Sequence, residues 1–308
     1  MVGALSRTAT VVGYGRIVIK HRIGTGMVAA AIAGSLLTAS LALAEQRNFT
    51  LPVQEKTIDI GAGLKYGAWT YGGTVPGPAL RVRQGDKVRI HLVNEMGIAH
   101  GIDIHAAAIA PSKHFAAIAG KTESSYDFEA NVPGVFMYHC SATPMVTHIA
   151  NGMYGMMIVD PKAGWSEAQE VTLEQSEYYG DADKNGMVWG DSKRMMDERP
   201  DFVVFNGVIE KYADHPIQIK VGQPVRIFFV NAGPNRTSSF HVVGTVFSSV
   251  YRSGNPANVF HDVQTFEVGP GDGAVFEFTV HEAGDYPFLD HAIARAYKGA
   301  IGMFHAVP

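Results

Sequence analysis

The 308-residue chain contains one cysteine, Cys140, so no disulfide can form within it and that thiol is free for other chemistry. Nowhere does the sequence sustain a long 3.6-residue hydrophobic period, which argues against a helical bundle. Positive charge is not in excess: 25 Lys and Arg stand against 29 Asp and Glu. The first 44 residues lack acidic side chains altogether but carry Arg7, Arg16, Lys20 and Arg22. They also lack an Arg-Arg pair, the mark of twin-arginine export. An apolar, small-residue run from Met27 closes on Ala42-Leu43-Ala44 before Glu45, the pattern of a signal-peptidase site. Residues 1–44 are therefore expected to be a signal peptide, which implies a periplasmic protein with no membrane span in its mature form. The alternative is an uncleaved anchor, because about 18 apolar residues just span a bilayer. Without the four basic residues of 1–44 the balance is 21 against 29, a net charge of −8. Such an acidic protein is a poor partner for nucleic acid.

From Leu51 onward the chain reads as short Val, Ile, Tyr and Phe-rich runs broken by Gly, Pro, Asn and Asp. Val82 to Val93 and Pro216 to Val230 alternate well enough to predict strands, and Ser192 to Glu198 suits a short helix or an excursion loop. The fold class expected is all-β, a sandwich architecture. The chain also repeats itself. Val82-Arg-Gln-Gly-Asp-Lys-Val-Arg-Ile-His-Leu-Val-Asn94 aligns with Ile219-Lys-Val-Gly-Gln-Pro-Val-Arg-Ile-Phe-Phe-Val-Asn231, with six of thirteen positions identical. Gly152-Met-Tyr-Gly155 matches Gly299-Ala-Ile-Gly302 in the same way. Two copies of one sandwich, residues 46–160 and 166–308, joined by Asp160-Pro161-Lys-Ala-Gly164, account for this. The copies diverge at Met153, which aligns with Ala300, and at Cys140, which has no Cys counterpart.

Cys140 is followed by His148 and Met153, and His100 lies some 40 residues upstream. A thiolate, two imidazoles and a thioether form the donor set of a blue-copper electron-transfer site. The residue before Cys140 is His139. Neighbours on a strand point to opposite faces, so His139 cannot serve the same metal. In His100-Gly-Ile-Asp103-Ile-His105, parity puts Asp103 and His105 on the face away from His100. Asp103, His105 and His139 thus converge on a second position, where the two imidazoles begin a metal site; a catalytic metal usually takes three protein ligands and keeps one position open, and the third is not visible in the first copy. The second copy offers His241 and His291 at edges equivalent to those of the first. Whether such edges meet within one chain or between chains stays open at this level. His91, His114, His215, His261, His281 and His305 have no motif partners, and His21 falls within the export segment.

Tyr138-His-Cys140 with its downstream His and Met, Ser238-Ser-Phe-His241-Val-Val-Gly244, and Asp290-His-Ala-Ile-Ala-Arg-Ala-Tyr-Lys-Gly-Ala-Ile-Gly302 together resemble the copper-containing nitrite reductases. The likeness runs over residues 50–306, nearest the branch with the shorter Cys-to-His loop. It implies two tandem Greek-key cupredoxin β-sandwich domains and two coppers per chain. His100, Cys140, His148 and Met153 would hold type 1 copper. His105, His139 and His291 would hold type 2 copper, with His291 coming from the neighbouring subunit of a homotrimer. Asp103 and His241 match the family's proton-handling pair, and Val243 stands where many members have Ile in the substrate pocket. The implied reaction is one-electron reduction of nitrite to nitric oxide, with a cytochrome c or small cupredoxin as donor, in denitrification or nitrate assimilation. A two-domain multicopper oxidase would need His-x-His pairs, which the sequence lacks. A non-catalytic electron carrier would leave Asp103, His105, His139, His241 and His291 without a task.

Overall fold

The computed structural model describes residues 44–308, so the expected export segment, apart from Ala44, lies outside the described residues. Strands Gln46–Gly61, Leu64–Tyr71, Lys87–Asn94 and Glu123–Glu129 form one sheet, which Met187–Val188 extends at the edge. Leu80–Arg83, Tyr154–Asp160, Gly134–His139 and Asp103–Ile104 form the sheet packed against it. Val88, Ile90 and Leu92 from the first meet Val82, Ile104, Tyr138 and Val159 from the second in a closed apolar core.

Residues beyond Gln169 repeat the plan. Phe202–Phe205, Gln169–Tyr178, Val225–Gly233, Gly273–Phe278, Ser249–Arg252 and Val259–Phe260 make one sheet. His215–Lys220, Ile301–Val307, Gly284–Asp290, Ser238–Val242 and Thr265–Val268 make the other, over a phenylalanine-rich core. The helices are short: Pro111–His114, Met145–Ala150, Ser192–Met196, Lys211–Asp214 and Ile293–Ala296. No helix among the described residues is long and apolar enough to cross a membrane.

The repeated sequence does the same physical work twice. Each run predicted as one strand is in fact two, divided by a turn at Gly85 (φ 97°) or Gly222 (φ 76°). Positive φ there is costly for any residue with a Cβ, so the glycine breaks the strand. At the far end, Asn94 donates to the carbonyls of Ile98 (2.8 Å) and Ala119 (3.1 Å) and accepts from Met96 N. Asn231 likewise donates to Arg236 O (2.7 Å) and Val268 O (2.8 Å) and accepts from Gly233 N. Each asparagine is 1% exposed, so its partners cannot turn to water instead. Asn231→Ala is expected to destabilise the fold by about 1–3 kcal/mol through those stranded carbonyls. Urea unfolding checks this; a midpoint equal to that of the parent protein would contradict it.

A third core joins the sandwiches. Val135, Met137, Met156 and Ile158 pack against Phe228, Val230 and Val275. Alternation along Gly134–His139 explains it: Phe136 and Tyr138 face the first core, while Val135 and Met137 face the second sandwich. The excursion after Tyr178 crosses back, pairing Val188 with Tyr66. Its helix Ser192–Met196 is capped by the Asp191 side chain accepting from Arg194 N, and it buries Met195 against Ala150 and Tyr179.

Candidate metal centres

Cys140 continues the face of Phe136 and Tyr138 and is fully buried in the first core. Its Sγ lies 3.3 Å from His148 Nδ1 and 3.8 Å from His100 Nδ1, and the two imidazole nitrogens are 3.1 Å apart. His100 arrives from a segment tied to Ile118 by reciprocal backbone bonds. His148 sits in the short helix Met145–Ala150, where its N–H reaches Pro144 O. Met153 is fully buried and is bound through its backbone to both neighbours: Cys140 N donates to its carbonyl, and its own N–H donates to His148 O. The Trp69 ring stands edge-on to His100 (5.5 Å) and His148 (5.0 Å), which limits their rotation.

The electrostatics ask for a cation. Burial, with the His148 ring beside it, pushes His100 down to about 4, and burial pushes His148 down too, so burial favours the neutral form of both rings, with lone pairs available to a metal. Burial pushes the Cys140 thiol up, opposed by the Gly101 and Ala142 N–H groups and the Tyr71 hydroxyl. Gly101 N lies 3.4 Å from Sγ. A buried thiol that resists ionisation alone, beside two neutral imidazoles, suits a metal whose charge offsets the thiolate. The donor types fit copper.

His139 points the other way. Its strand pairs Asp103 with His139 and Ile104 with Tyr138. His139 Nε2 lies 3.1 Å from His105 Nε2. His139 Nδ1 donates to Cys140 O (2.9 Å), and His105 Nδ1 donates to Gly271 O (3.0 Å) in the second sandwich. With each Nδ1 carrying the proton, both Nε2 lone pairs face one point and repel unless a cation or proton lies between them. Asp103 offers a carboxylate oxygen within 4.8 Å of both. His105 is exposed, Asp103 half-buried and His139 buried, so this group opens outward whereas the Cys140 group is closed.

Among the described residues these are the two groups of three or more His, Cys, Asp or Glu side chains close enough to share a metal, and His241 and His291 belong to neither. They form a pair of their own, ring centroids 5.5 Å apart. His291 N donates to Ser239 O (2.7 Å), and His241 Nδ1 donates to Gln264 O (2.6 Å), leaving its Nε2 free. Val243, in the turn that follows the His241 strand, is 40% exposed. Asp103 and His241, grouped together on resemblance, therefore sit in different clusters of the chain. Sequence reasoning gave no role to Trp69, which carries no local motif, nor to Asp290, the buried carboxylate beside His291, which there only opens the Asp290–Gly302 motif. The unassigned histidines stay apart from these clusters: His91 meets Ser125, His261 meets Ser248 O, and His305 meets Asp285.

Comparison with known proteins agrees with this arrangement. Two profiles described as multicopper oxidase match residues 52–164 and 182–304. A copper-containing nitrite reductase of Neisseria gonorrhoeae is 38% identical over 81% of this chain, which spans 65% of that protein's length. One from Rhizobium sullae is 30% identical, with 83% of this chain and 74% of that protein covered. A solved copper nitrite reductase from Nitrosomonas europaea superposes with TM-score 0.80 at 38% identity, covering 85% of this chain and 94% of that one. The two sandwiches are thus tandem cupredoxin domains.

Proposed function

The chain belongs to the copper-containing nitrite reductases, and on that premise we propose that it reduces nitrite, with one electron and two protons, to nitric oxide and water. The domains are taken as residues 46–160 and 166–308. His100, Cys140, His148 and Met153 hold type 1 copper, and His105 and His139 with His291 of a neighbouring copy hold type 2 copper, two coppers per chain. Bound there, copper supplies a one-electron store at the closed group and a Lewis-acidic docking point for nitrite at the open one.

The remaining work falls to the protein. His139 and Cys140 are adjacent, so one peptide unit is the covalent route between the groups, and the bond from His139 Nδ1 to Cys140 O adds a second short path. Asp103 hydrogen-bonds a substrate oxygen and passes it a proton, and His241 relays the second through the Nε2 left free by its Nδ1 bond to Gln264 O. Val243, just past the His241 strand, limits the space in which nitrite lies.

The open site is completed between chains. His291 and His241 sit together but outside the Asp103 cluster, so one copy brings Asp103, His105 and His139 while the next brings His241 and His291. Exposed apolar side chains near the second pair in sequence, Val246 (55%), Ile293 (46%) and Tyr297 (86%), favour burial against another copy. A homotrimer closes such head-to-tail contacts into a ring. The electron donor is a small redox protein, a cytochrome c or cupredoxin, that meets exposed Met145 on the helix carrying His148. Export to the periplasm rests on the Ala42-Leu43-Ala44 pattern.

One observation carries this reading: adjacent residues His139 and Cys140 enter two separate donor groups. Copper analysis together with a nitrite-dependent nitric oxide assay tests it. Two coppers per chain and nitric oxide formation are expected; fully loaded protein that forms none would end the proposal.

A further inference from the structure

Building on that reading, we propose that Asp290 is a positioning residue, a buried carboxylate that fixes His241 and His291 relative to each other and so presets the half of the shared metal site this chain lends to its neighbour. Asp290 is fully buried yet accepts four hydrogen bonds. Its Oδ2 takes Gln175 Nε2 (2.8 Å) and Arg295 Nη1 (2.8 Å), and its Oδ1 takes Ser239 N (3.2 Å) and Ala292 N (3.0 Å). The two backbone donors belong to the two histidine-bearing segments. Ser239 stands two residues before His241, and Ala292 directly follows His291. The strands add register, with Phe240 opposite Asp290, and His291 N returns a bond to Ser239 O (2.7 Å). The two backbone segments that carry the imidazoles are therefore tied to one carboxylate.

The chemistry at position 290 is specific to an anion. An ionised carboxylate has about four acceptor positions and no donor, which matches four donors around it. Its charge is balanced by Arg295, which also donates to Thr237 O, the residue that leads into the His241 strand. Ser238 Oγ donates to Gln175 Oε1 (2.7 Å), which turns the Gln175 amide nitrogen towards Asp290. An asparagine amide would set a donor either against Arg295 or against the Ser239 and Ala292 N–H groups. Gln175 can turn over in response; a guanidinium and two backbone amides cannot.

Asp290→Asn in the full-length, copper-loaded protein tests the role, with Arg295→Gln as a milder second variant that keeps Asp290. Partners that orient a ligand from behind typically change metal affinity by about 10–100-fold. Chelator competition should show type 2 copper held about that much more weakly in Asp290→Asn, and less so in Arg295→Gln. The type 1 absorption band should be unchanged. In metal-free protein the ring nitrogen resonances of His241 and His291 should both shift, since they share the anchor. Type 2 affinity within about twofold of the parent and unshifted resonances in either folded variant would overturn the inference. A parent protein that binds no type 2 copper would instead sink the functional reading, and the resonance comparison would still judge the anchor.

Discussion

Replacing His139 with alanine is expected to lower nitrite turnover by more than about a hundredfold while leaving the thiolate–copper absorption of the type 1 centre intact. The size follows from its role. Outer-shell partners of a metal ligand already cost about 10–100-fold when removed, and His139 is itself a proposed ligand whose Nε2 faces His105 Nε2 at 3.1 Å. The selectivity follows from the strand. His139 lies on the face of Met137 while Cys140 lies on the face of Tyr138, so truncating one ring leaves Sγ and both Nδ1 atoms of the other group in place. Steady-state nitric oxide production and the visible spectrum, measured on one preparation, separate the two effects. Equal loss of both would mean that the groups are not independent.

Glu174→Gln is expected to change how stability depends on pH, by about 5 kcal/mol across the range. Glu174 is 4% exposed between the sandwiches and its Oε2 has no hydrogen-bond partner. Burial pushes its carboxyl from 4.5 to about 8, with the Met156 N–H as the one opposing group. The native state thus holds a proton that the unfolded chain releases. Below pH 4.5 both states are protonated and the group contributes no slope. Between 4.5 and about 8 the unfolded state binds fewer protons, so stability falls as pH rises, and above 8 the loss is complete. At 1.36 kcal/mol per pK unit this reaches about 5 kcal/mol. An amide cannot titrate, so Glu174→Gln should gain on the parent steadily from pH 5 to 8. Urea unfolding of metal-free protein at those two pH values measures the difference, in which other titrating groups cancel. A change below about 1 kcal/mol would show Glu174 to be ionised or hydrated.

The contrast between these residues marks what a sequence carries. The fold was legible because its signals are local and repeated: the run from Val82 to Asn94 recurs from Ile219 to Asn231, and the two asparagines hold the same Asx geometry. The opposed directions of His139 and Cys140 were legible too, since strand alternation is read off adjacent residues. Strand ends were less so, because alternation continues past a glycine turn as though it were absent. The roles of Glu174 and Asp290 were not legible, although Asp290 stands at the head of a recognisable motif. The unusual state of Glu174 comes from its burial between the sandwiches, and the four donors on Asp290 come from four separate positions. Burial and long-range partners leave no local pattern. The separation of His241 from Asp103 was hidden for the same reason, since motif order does not say which copy supplies which half.

That division between copies is the central claim, and subunit mixing tests it most directly. His105→Ala removes a ligand from one half-site and His291→Ala removes one from the other, so each variant alone should lack type 2 copper and turnover. If chains mix at random after equal amounts are dissociated and reassembled together, about a quarter of the interfaces pair two intact halves. The account predicts recovery of about a quarter of the parent's type 2 copper signal and nitric oxide production. No recovery in a mixture shown to exchange subunits would place the whole site within one chain and contradict it.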